Sequence, residues 1–278
     1  MEIGLLTAPL SGKSLDWIVG FARDHGFKAL EVVAGPGGKH LDTAKLSADK
    51  AKKIDALLKK AGVRISSLAF YDNLLDPDKN RRARRSQDMR GVIDAAAVLG
   101  VDVVCTLAGM PMPGKDRTRT IAEDLPGVFG PLAKYAAKKK IKIAFENYFA
   151  TNIRNLADWR QVFEVVPDAN VGLNYDPSHL LWQGIDYLEA VERFKDRIFH
   201  THAKDVEIKQ HALRWLGNQS GGWWRYVIPG FGDVNWGVYI ARLRSIGYNG
   251  VLSIEHEDGA FGVEEGFVAG QHYLSQFV

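Results

Sequence analysis

The sequence predicts a (β/α)8 barrel, and three observations lead there. Short apolar runs alternate with longer amphipathic stretches eight times over 278 residues. Composition does not shift along the chain, so one domain spanning residues 1–278 is expected. The first apolar run is not followed by Gly-x-Gly-x-x-Gly, the phosphate-binding turn of the competing open, doubly wound sheet.

Taken in order, Glu2–Thr7 reads as the first strand and Ser14–His25 as a helix capped by Ser14. Ala29–Ala34 is the second strand and runs into the glycine-rich turn at Gly35. In the helix Ser47–Ala61, Ile54, Leu57, Leu58 and Ala61 share one face, and Gly62 ends it. Val63–Phe70 is the third strand, and the long helix Asp78–Leu99 stops at Gly100. Val101–Ala108 is the fourth strand, followed by a proline-rich loop and a helical region over Thr120–Lys140 that breaks or begins near Pro126. The remaining strands are Ile141–Glu146, Val171–Asp176, Ile198–Lys204 and Val251–Glu257. Their helices are expected over Asn152–Val166, Gly184–Phe194, Trp236–Ile246 and Val263–Phe277. A long segment, Asp205–Asn235, separates the seventh strand from its helix.

Composition narrows the function classes. Apolar residues make up 46% and charged residues 25%, enough for a real core. Thirty-six basic against 33 acidic side chains leave a net charge of +3, too little to argue for nucleic acid or a membrane surface. One cysteine, Cys105, excludes an internal disulfide framework and suits a reducing compartment. The apolar run after Met1 is too short for a signal sequence and lacks a basic flank, so a cytoplasmic location is expected. The dense cluster Arg81–Arg85 lies on a helix with Asp76, Asp78 and Asp88 nearby. It reads as a solvated or subunit-facing surface, which leaves a homo-oligomer open.

Chemistry concentrates at the strand ends of the second half. On an alternating strand, His200, His202 and Lys204 share one face, a poor apolar surface but a good floor for a metal and an anionic atom. For an isolated pair of histidines, a hydrogen-bonded polar core is the commoner use. Here the fifth strand ends in Glu146, the sixth in Asp176, the seventh places His202 near its end and the eighth places Glu255. The C-terminal rim of such a barrel is where catalytic groups gather. Four consecutive strands therefore bring one metal-capable side chain each to one rim. Two glutamates, an aspartate and a histidine suit one divalent ion, with Mn²⁺ ahead of Mg²⁺, Co²⁺ or Zn²⁺.

The segments Ala-Phe-Glu146-Asn, Tyr-Asp176-Pro-Ser-His179, His200-Thr-His202-Ala-Lys204-Asp205 and Ser-Ile-Glu255-His resemble the xylose-isomerase-like barrel superfamily. That group includes sugar phosphate isomerases and epimerases, ketose 3-epimerases, inosose dehydratases and endonuclease IV enzymes. The resemblance covers the whole chain in rhythm and the second half in motifs. It implies that Glu146, Asp176, His202 and Glu255 are the metal ligands and that His179 contacts substrate beside the metal. It implies further that Glu146 and Glu255 act as acid and base, with His179 and Lys204 as electrophilic or positioning groups. Lys204 could equally be a structural cation paired with Asp205.

Gly221-Gly222-Trp223-Trp224-Arg225-Tyr226 is expected as a glycine-flanked loop over the rim, where Trp223, Trp224 and Arg225 would contact a sugar together with His200. Pro229-Gly-Phe-Gly-Asp-Val-Asn235-Trp resembles a signature of the same superfamily with Asn235 where Asp is usual. A helix cap is the expected role of Asn235, and the two glycines make a weak case for a phosphate cradle.

The reading that follows is a metal-dependent sugar isomerase or epimerase, moving a proton alpha to a carbonyl through an enediolate at the metal, with a small carbohydrate as its partner. A lyase or dehydratase using the same carbanion for β-elimination is the alternative. An endonuclease would need histidines on strands two to four, where Glu31, Ala34, Phe70 and Ala108 stand instead. A sugar-binding barrel without catalysis is the non-enzymatic reading.

Overall fold

The computed structural model describes residues 1–278. Eight parallel strands close into a barrel: β1 (Glu2–Leu6), β2 (Ala29–Gly35), β3 (Arg64–Phe70), β4 (Val103–Leu107), β5 (Lys142–Glu146), β6 (Val171–Tyr175), β7 (Ile198–Ala203) and β8 (Val251–Ile254). β1 pairs with both β8 and β2, which shuts the ring and leaves it no free edge. Helices lie between successive strands, the (β/α)8 arrangement expected from the alternation.

Local chemistry sets the element ends. Ser14 accepts from the Trp17 amide at 3.2 Å, and Asp78 accepts from the Arg81 amide at 2.8 Å. Gly62 and Gly100 end their helices in the left-handed region, at φ 67° and 68°. The helical region near Pro126 divides into Arg117–Glu123 and Leu125–Lys138, with the proline in the first turn of the second helix, where its missing N–H costs nothing. The helix expected from Asn152 begins later, at Leu156, because Asn155 caps it by accepting from two amides. The one expected from Gly184 is shorter, Tyr187–Arg193, and a separate turn of helix, Ser178–Leu181, precedes it.

The largest departure lies in Asp205–Asn235. Asp205–Ile208 and Trp224–Val227 pair as an antiparallel hairpin over the rim, with a short helix, Gln210–Leu216, at its far end. The aromatic run is thus a strand, with alternation, rather than a loop. The hairpin is anchored by Asp205, whose Oδ1 accepts from the amides of Val206 (2.8 Å) and Val234 (3.0 Å). Its Oδ2 accepts from the Gly230 amide (3.0 Å) and Trp236 Nε1 (2.8 Å). Two amides of the Pro229–Asn235 turn, Gly230 and Val234, go to this carboxylate, while those of Phe231 and Asp233 go to the carbonyls of Ile228 and Val206. Gly230 adopts φ 95°, and a side chain on it would strike the Tyr273 ring. Asn235 does cap the next helix, accepting from the Val238 amide at 3.2 Å.

Outward-facing strand residues such as Leu30, Val32, Leu68, Val104 and Leu173 are wholly buried against the helices. Each contributes about 1.5–3 kcal/mol of apolar transfer. Val103, Cys105 and Ala144 form a small apolar cluster inside the barrel, toward the N-terminal end of its strands. Above it the interior turns polar. Two register shifts shape that region: Ser66 is an extra residue on β3 opposite Leu30/Glu31, and Phe199 an extra residue on β7 opposite Leu173/Asn174.

Candidate active site

The ends of β5 to β8 converge on one point. One ligand atom each from Glu146, Asp176, His202 and Glu255 falls within a mutual 4.8 Å, and all four residues are buried. His202 Nδ1 lies 3.1 Å from Glu255 Oε2 and 3.8 Å from Glu146 Oε1. Asn147, next after Glu146, accepts from the Asp176 amide and donates to its carbonyl, both at 2.8 Å, so the ends of β5 and β6 are clasped. Ser178 donates to Asp176 Oδ1 through its amide (2.8 Å) and hydroxyl (2.6 Å), which aims Oδ2 at the centre.

The chemistry of these donors fits a divalent cation. Asp176 Oδ2 and His202 Nδ1 are buried atoms without a hydrogen-bond partner, and both face the convergence point. Glu31, Glu146, Asp176 and Glu255 are four buried carboxylates, while Lys204 and a protonated His202 supply two positive charges, an excess of two negative charges. A second group, Glu31, Cys105 and His200, also lies close together. There both His200 nitrogens are already used, Nδ1 on Asn174 Oδ1 (2.9 Å) and Nε2 on Ser66 (3.0 Å) and Ser67 (3.4 Å).

Electrostatics keep the ring ionised. Burial alone would raise the Glu146 carboxyl, but the contact with His179 and the positive charges of His202 and Lys204 outweigh it and hold the group well below its ordinary value. For Glu255, burial is outweighed chiefly by Lys204, and the carboxyl falls to about 2. Burial would lower His202, yet Glu31 and Glu255 raise it well above the usual imidazole value. Burial does prevail at His200, which drops to about 4 and is neutral at physiological pH.

Lys204 is buried and reaches into the ring: Nζ lies 2.6 Å from Glu255, 3.3 Å from Asp176, 3.4 Å from Glu257 and 3.2 Å from His179 Nε2. A pairing with Asp205 is not what the fold provides, since Asp205 faces the hairpin turn. His179 touches Glu146 Oε1 at 3.2 Å through Nε2, and its Nδ1 lies 2.6 Å from the Tyr226 hydroxyl. Burial pushes the Tyr226 phenol far up, so it stays protonated and is available as a donor to Nδ1. In that arrangement the His179 proton is on Nε2 and points to Glu146 Oε1.

Three residues expected to contact substrate lie away from the ring. His200 lies on the same face as His202 but one layer deeper, bonded to Asn174 and the two serines turned inward at the β3 bulge. Trp223 and Arg225 alternate with the residues on the His179 side, and the Trp223 ring packs 6.1 Å from Trp182. Trp223 is buried, while Arg225 is held by Glu207 (2.6 Å) and Asp258 (2.7 Å). The residues turned toward His179 are Trp224 and Tyr226. Trp224 stacks on Trp182 at 4.4 Å and joins Phe149 in an aromatic wall.

The sequence reading passed over Glu31. It is fully buried on β2 and accepts from the Tyr71 hydroxyl (2.6 Å), Ser253 (2.9 Å) and His202 Nε2 (3.0 Å). The signal was present: a lone carboxylate inside the apolar run Ala-Leu-Glu-Val-Val.

Comparison with known proteins agrees with this architecture. A family model described as xylose isomerase-like TIM barrel matches residues 19–276. The uncharacterized protein YfiH of Bacillus subtilis (strain 168) is 27% identical over 313 aligned positions, covering 100% of this chain and 99% of that protein. An inosose dehydratase of Clostridium perfringens (strain 13 / Type A) is 27% identical over 149 positions, covering 51% of this chain and 48% of its own length. Among solved structures, the probable 3-DHS dehydratase AsbF from Bacillus anthracis superposes with TM-score 0.79 at 17% identity over 99% of both chains. The IOLI protein with a binding zinc atom gives 0.77 at 19% identity, over 100% of this chain and 99% of that one. The 3-keto-D-glucoside 4-epimerase YcjR from E. coli gives 0.74 at 17% identity over 99% of both. At such identities the structural likeness establishes the fold. No helix is long and apolar enough to cross a membrane. With the family match spanning nearly all of a closed eight-stranded barrel, the chain belongs to the xylose isomerase-like TIM barrel family.

Proposed function

We propose that this protein moves a proton alpha to the carbonyl of a small sugar or sugar-like ketone, as an isomerase or epimerase that depends on a divalent metal. The observation that carries this reading is the buried ring of Glu146, Asp176, His202 and Glu255, with two of its atoms left without hydrogen bonds. Glu146, Asp176 Oδ2, His202 Nδ1 and Glu255 would hold the ion. Bound there, it would supply Lewis-acid polarisation of a carbonyl and its neighbouring hydroxyl. Mn²⁺ is our first candidate for a carboxylate-rich set, and the zinc of the IOLI neighbour makes Zn²⁺ the next to test.

The chain's own residues supply the proton chemistry. Glu146 and Glu255 come from β5 and β8 and rest as carboxylates, the state that accepts a proton from carbon. A base on each side of a planar enediolate is what epimerisation requires. Lys204 Nζ, and His179 Nε2 in the tautomer that points a proton to Glu146, are the donors that would stabilise the enediolate oxygens. Tyr226 holds His179 in the tautomer that makes it a donor. Trp182, Trp224 and Phe149 would wall off one side of the substrate from water.

A second reading, β-elimination by a lyase or dehydratase, draws on the half-length similarity to inosose dehydratases and on the Tyr226–His179 pair. That pair could pass a proton to a departing oxygen. One experiment separates the readings. Protein loaded with Mn²⁺ or Zn²⁺ is incubated in D₂O with a panel of keto-sugars, keto-inositols and 3-keto-glycosides. Deuterium in a recovered stereoisomer or positional isomer supports isomerisation, whereas loss of water or an alcohol, seen by mass spectrometry, supports elimination. Absence of exchange and of elimination across the panel would sink both.

A further inference from the structure

We propose that Glu31, backed by Tyr71, is a positioning residue for this centre: it takes the hydrogen bond from His202 Nε2–H and thereby leaves Nδ1 free to face a cation. This rests on the reading of the ring as a metal site. The geometry carries the rest. In the neutral form that a ligand must take, His202 has two tautomers with opposite consequences. With its proton on Nδ1, the ring would hydrogen-bond Glu255, 3.1 Å away, and close the position between Glu146 and Glu255. With its proton on Nε2, it bonds Glu31 Oε2 at 3.0 Å, with the Tyr71 oxygen at 3.2 Å as a second, neutral acceptor, and presents a lone pair to the ring.

Glu31 is built to enforce the second state. Oε1 accepts from Tyr71 at 2.6 Å, and Oε2 accepts from Ser253 at 2.9 Å, so both oxygens are fixed before His202 is counted. The Asn174 amide nitrogen also lies near Nε2, at 2.9 Å. Asn174 is oriented by His200, whose Nδ1–H donates to Oδ1, and its amide has the Tyr71 oxygen as an alternative acceptor at 2.8 Å. Nε2 could accept from this amide or donate to Glu31, and the charge of the carboxylate favours the donor state. Both register shifts of the barrel fall on this network, one at Leu30/Glu31 and one at Leu173/Asn174. Bulges that re-aim side chains are common beside functional sites.

The test measures cation affinity by chelator competition with Mn²⁺ and Zn²⁺. The proteins compared are the wild type, Glu31→Gln, Tyr71→Phe, and each substitution combined with His202→Ala. Circular dichroism checks folding throughout. Glu31→Gln should weaken binding by about 10–100-fold, the range for lost partners of ligating histidines. Tyr71→Phe should weaken it in the same direction by less. Both losses should vanish when His202 is already alanine. Histidine ¹⁵N NMR of the Zn²⁺-loaded wild type should show His202 protonated at Nε2 and ligated through Nδ1. Unchanged affinity in both single variants, or an equal loss with and without His202, would overturn the assignment. If Glu31→Gln does not fold, Tyr71→Phe and its pair with His202→Ala decide alone. A wild type that takes up neither cation removes the metal reading itself, a failure distinct from loss of the Glu31 effect.

Discussion

Asp205 offers a prediction that can be worked from the structure atom by atom. Asp205→Asn keeps size and shape but turns one acceptor into a donor. Each carboxylate oxygen now accepts from two N–H groups, Val206 and Val234 on Oδ1, Gly230 and Trp236 on Oδ2. Whichever way the amide is flipped, its NH₂ meets two donors and leaves them unsatisfied in a site that is largely buried. Two lost hydrogen bonds to a charged group, at about 1.5–3 kcal/mol each, give roughly 3–6 kcal/mol of destabilisation. At roughly 2–4 °C per kcal/mol for a chain of this size, the melting temperature should fall by about 6–24 °C. Differential scanning calorimetry, with urea midpoints as a check, measures it. A loss under about 1 kcal/mol would refute the anchoring role, because it would mean that the turn finds other acceptors at no cost.

Other consequences can be checked alongside. In the metal-free protein, Glu31 and Glu255 sit at about 2 against an ordinary 4.5, so their stabilisation is full above 4.5 and is lost as pH falls toward 2. His200, held neutral down to about 4 against an ordinary 6.5, disfavours the fold increasingly below 6.5, so all three groups act in one direction. Urea unfolding between about pH 6 and about pH 3 should show a steady decline, and a flat profile would contradict the assigned contacts. Lys204→Met removes the ammonium that lies among Glu255, Asp176 and Glu146. It should destabilise the metal-free protein by about 3–5 kcal/mol, as expected for breaking a buried pair. It should also tighten Mn²⁺ binding at least tenfold by removing a neighbouring like charge. Weaker metal binding in that variant would mean that Lys204 supports the site rather than competing with a cation for it.

How much of this was legible depended on how local each feature is. The strands could be read because their buried faces are runs of Val, Ile, Leu and Ala, and the helix stops because Gly62 and Gly100 each follow an apolar period. Glu146, Asp176, His202 and Glu255 could be listed as strand-end residues without knowing the barrel's closure, since the C-terminal rim gathers them in any (β/α)8 fold. Glu31 could not. Its partner His202 is 171 positions away, on a strand that neighbours β2 only across the interior, and the bulge at Ser66 fixes which residues share its layer. The hairpin was missed for a related reason. Trp224–Val227 carries the composition of a strand, but its register against Asp205–Ile208 decides that Trp224 and Tyr226, not Trp223 and Arg225, face His179.

The aromatic wall ties together pieces of chain that barrels usually vary one at a time. Phe149 follows β5, Trp182 follows β6 and Trp224 belongs to the hairpin after β7, yet their rings meet at 5.1 Å, 4.4 Å and 6.1 Å. Arg117, from the helix after β4, donates to the carbonyls of Phe149 and Thr151 and so fixes the first of these pieces from outside. The connections after β5, β6 and β7 therefore pack as one block. A new substrate preference acquired through the hairpin would have to carry compatible residues at Phe149 and Trp182 with it, and a hairpin transplanted between family members should work only when those two travel as well.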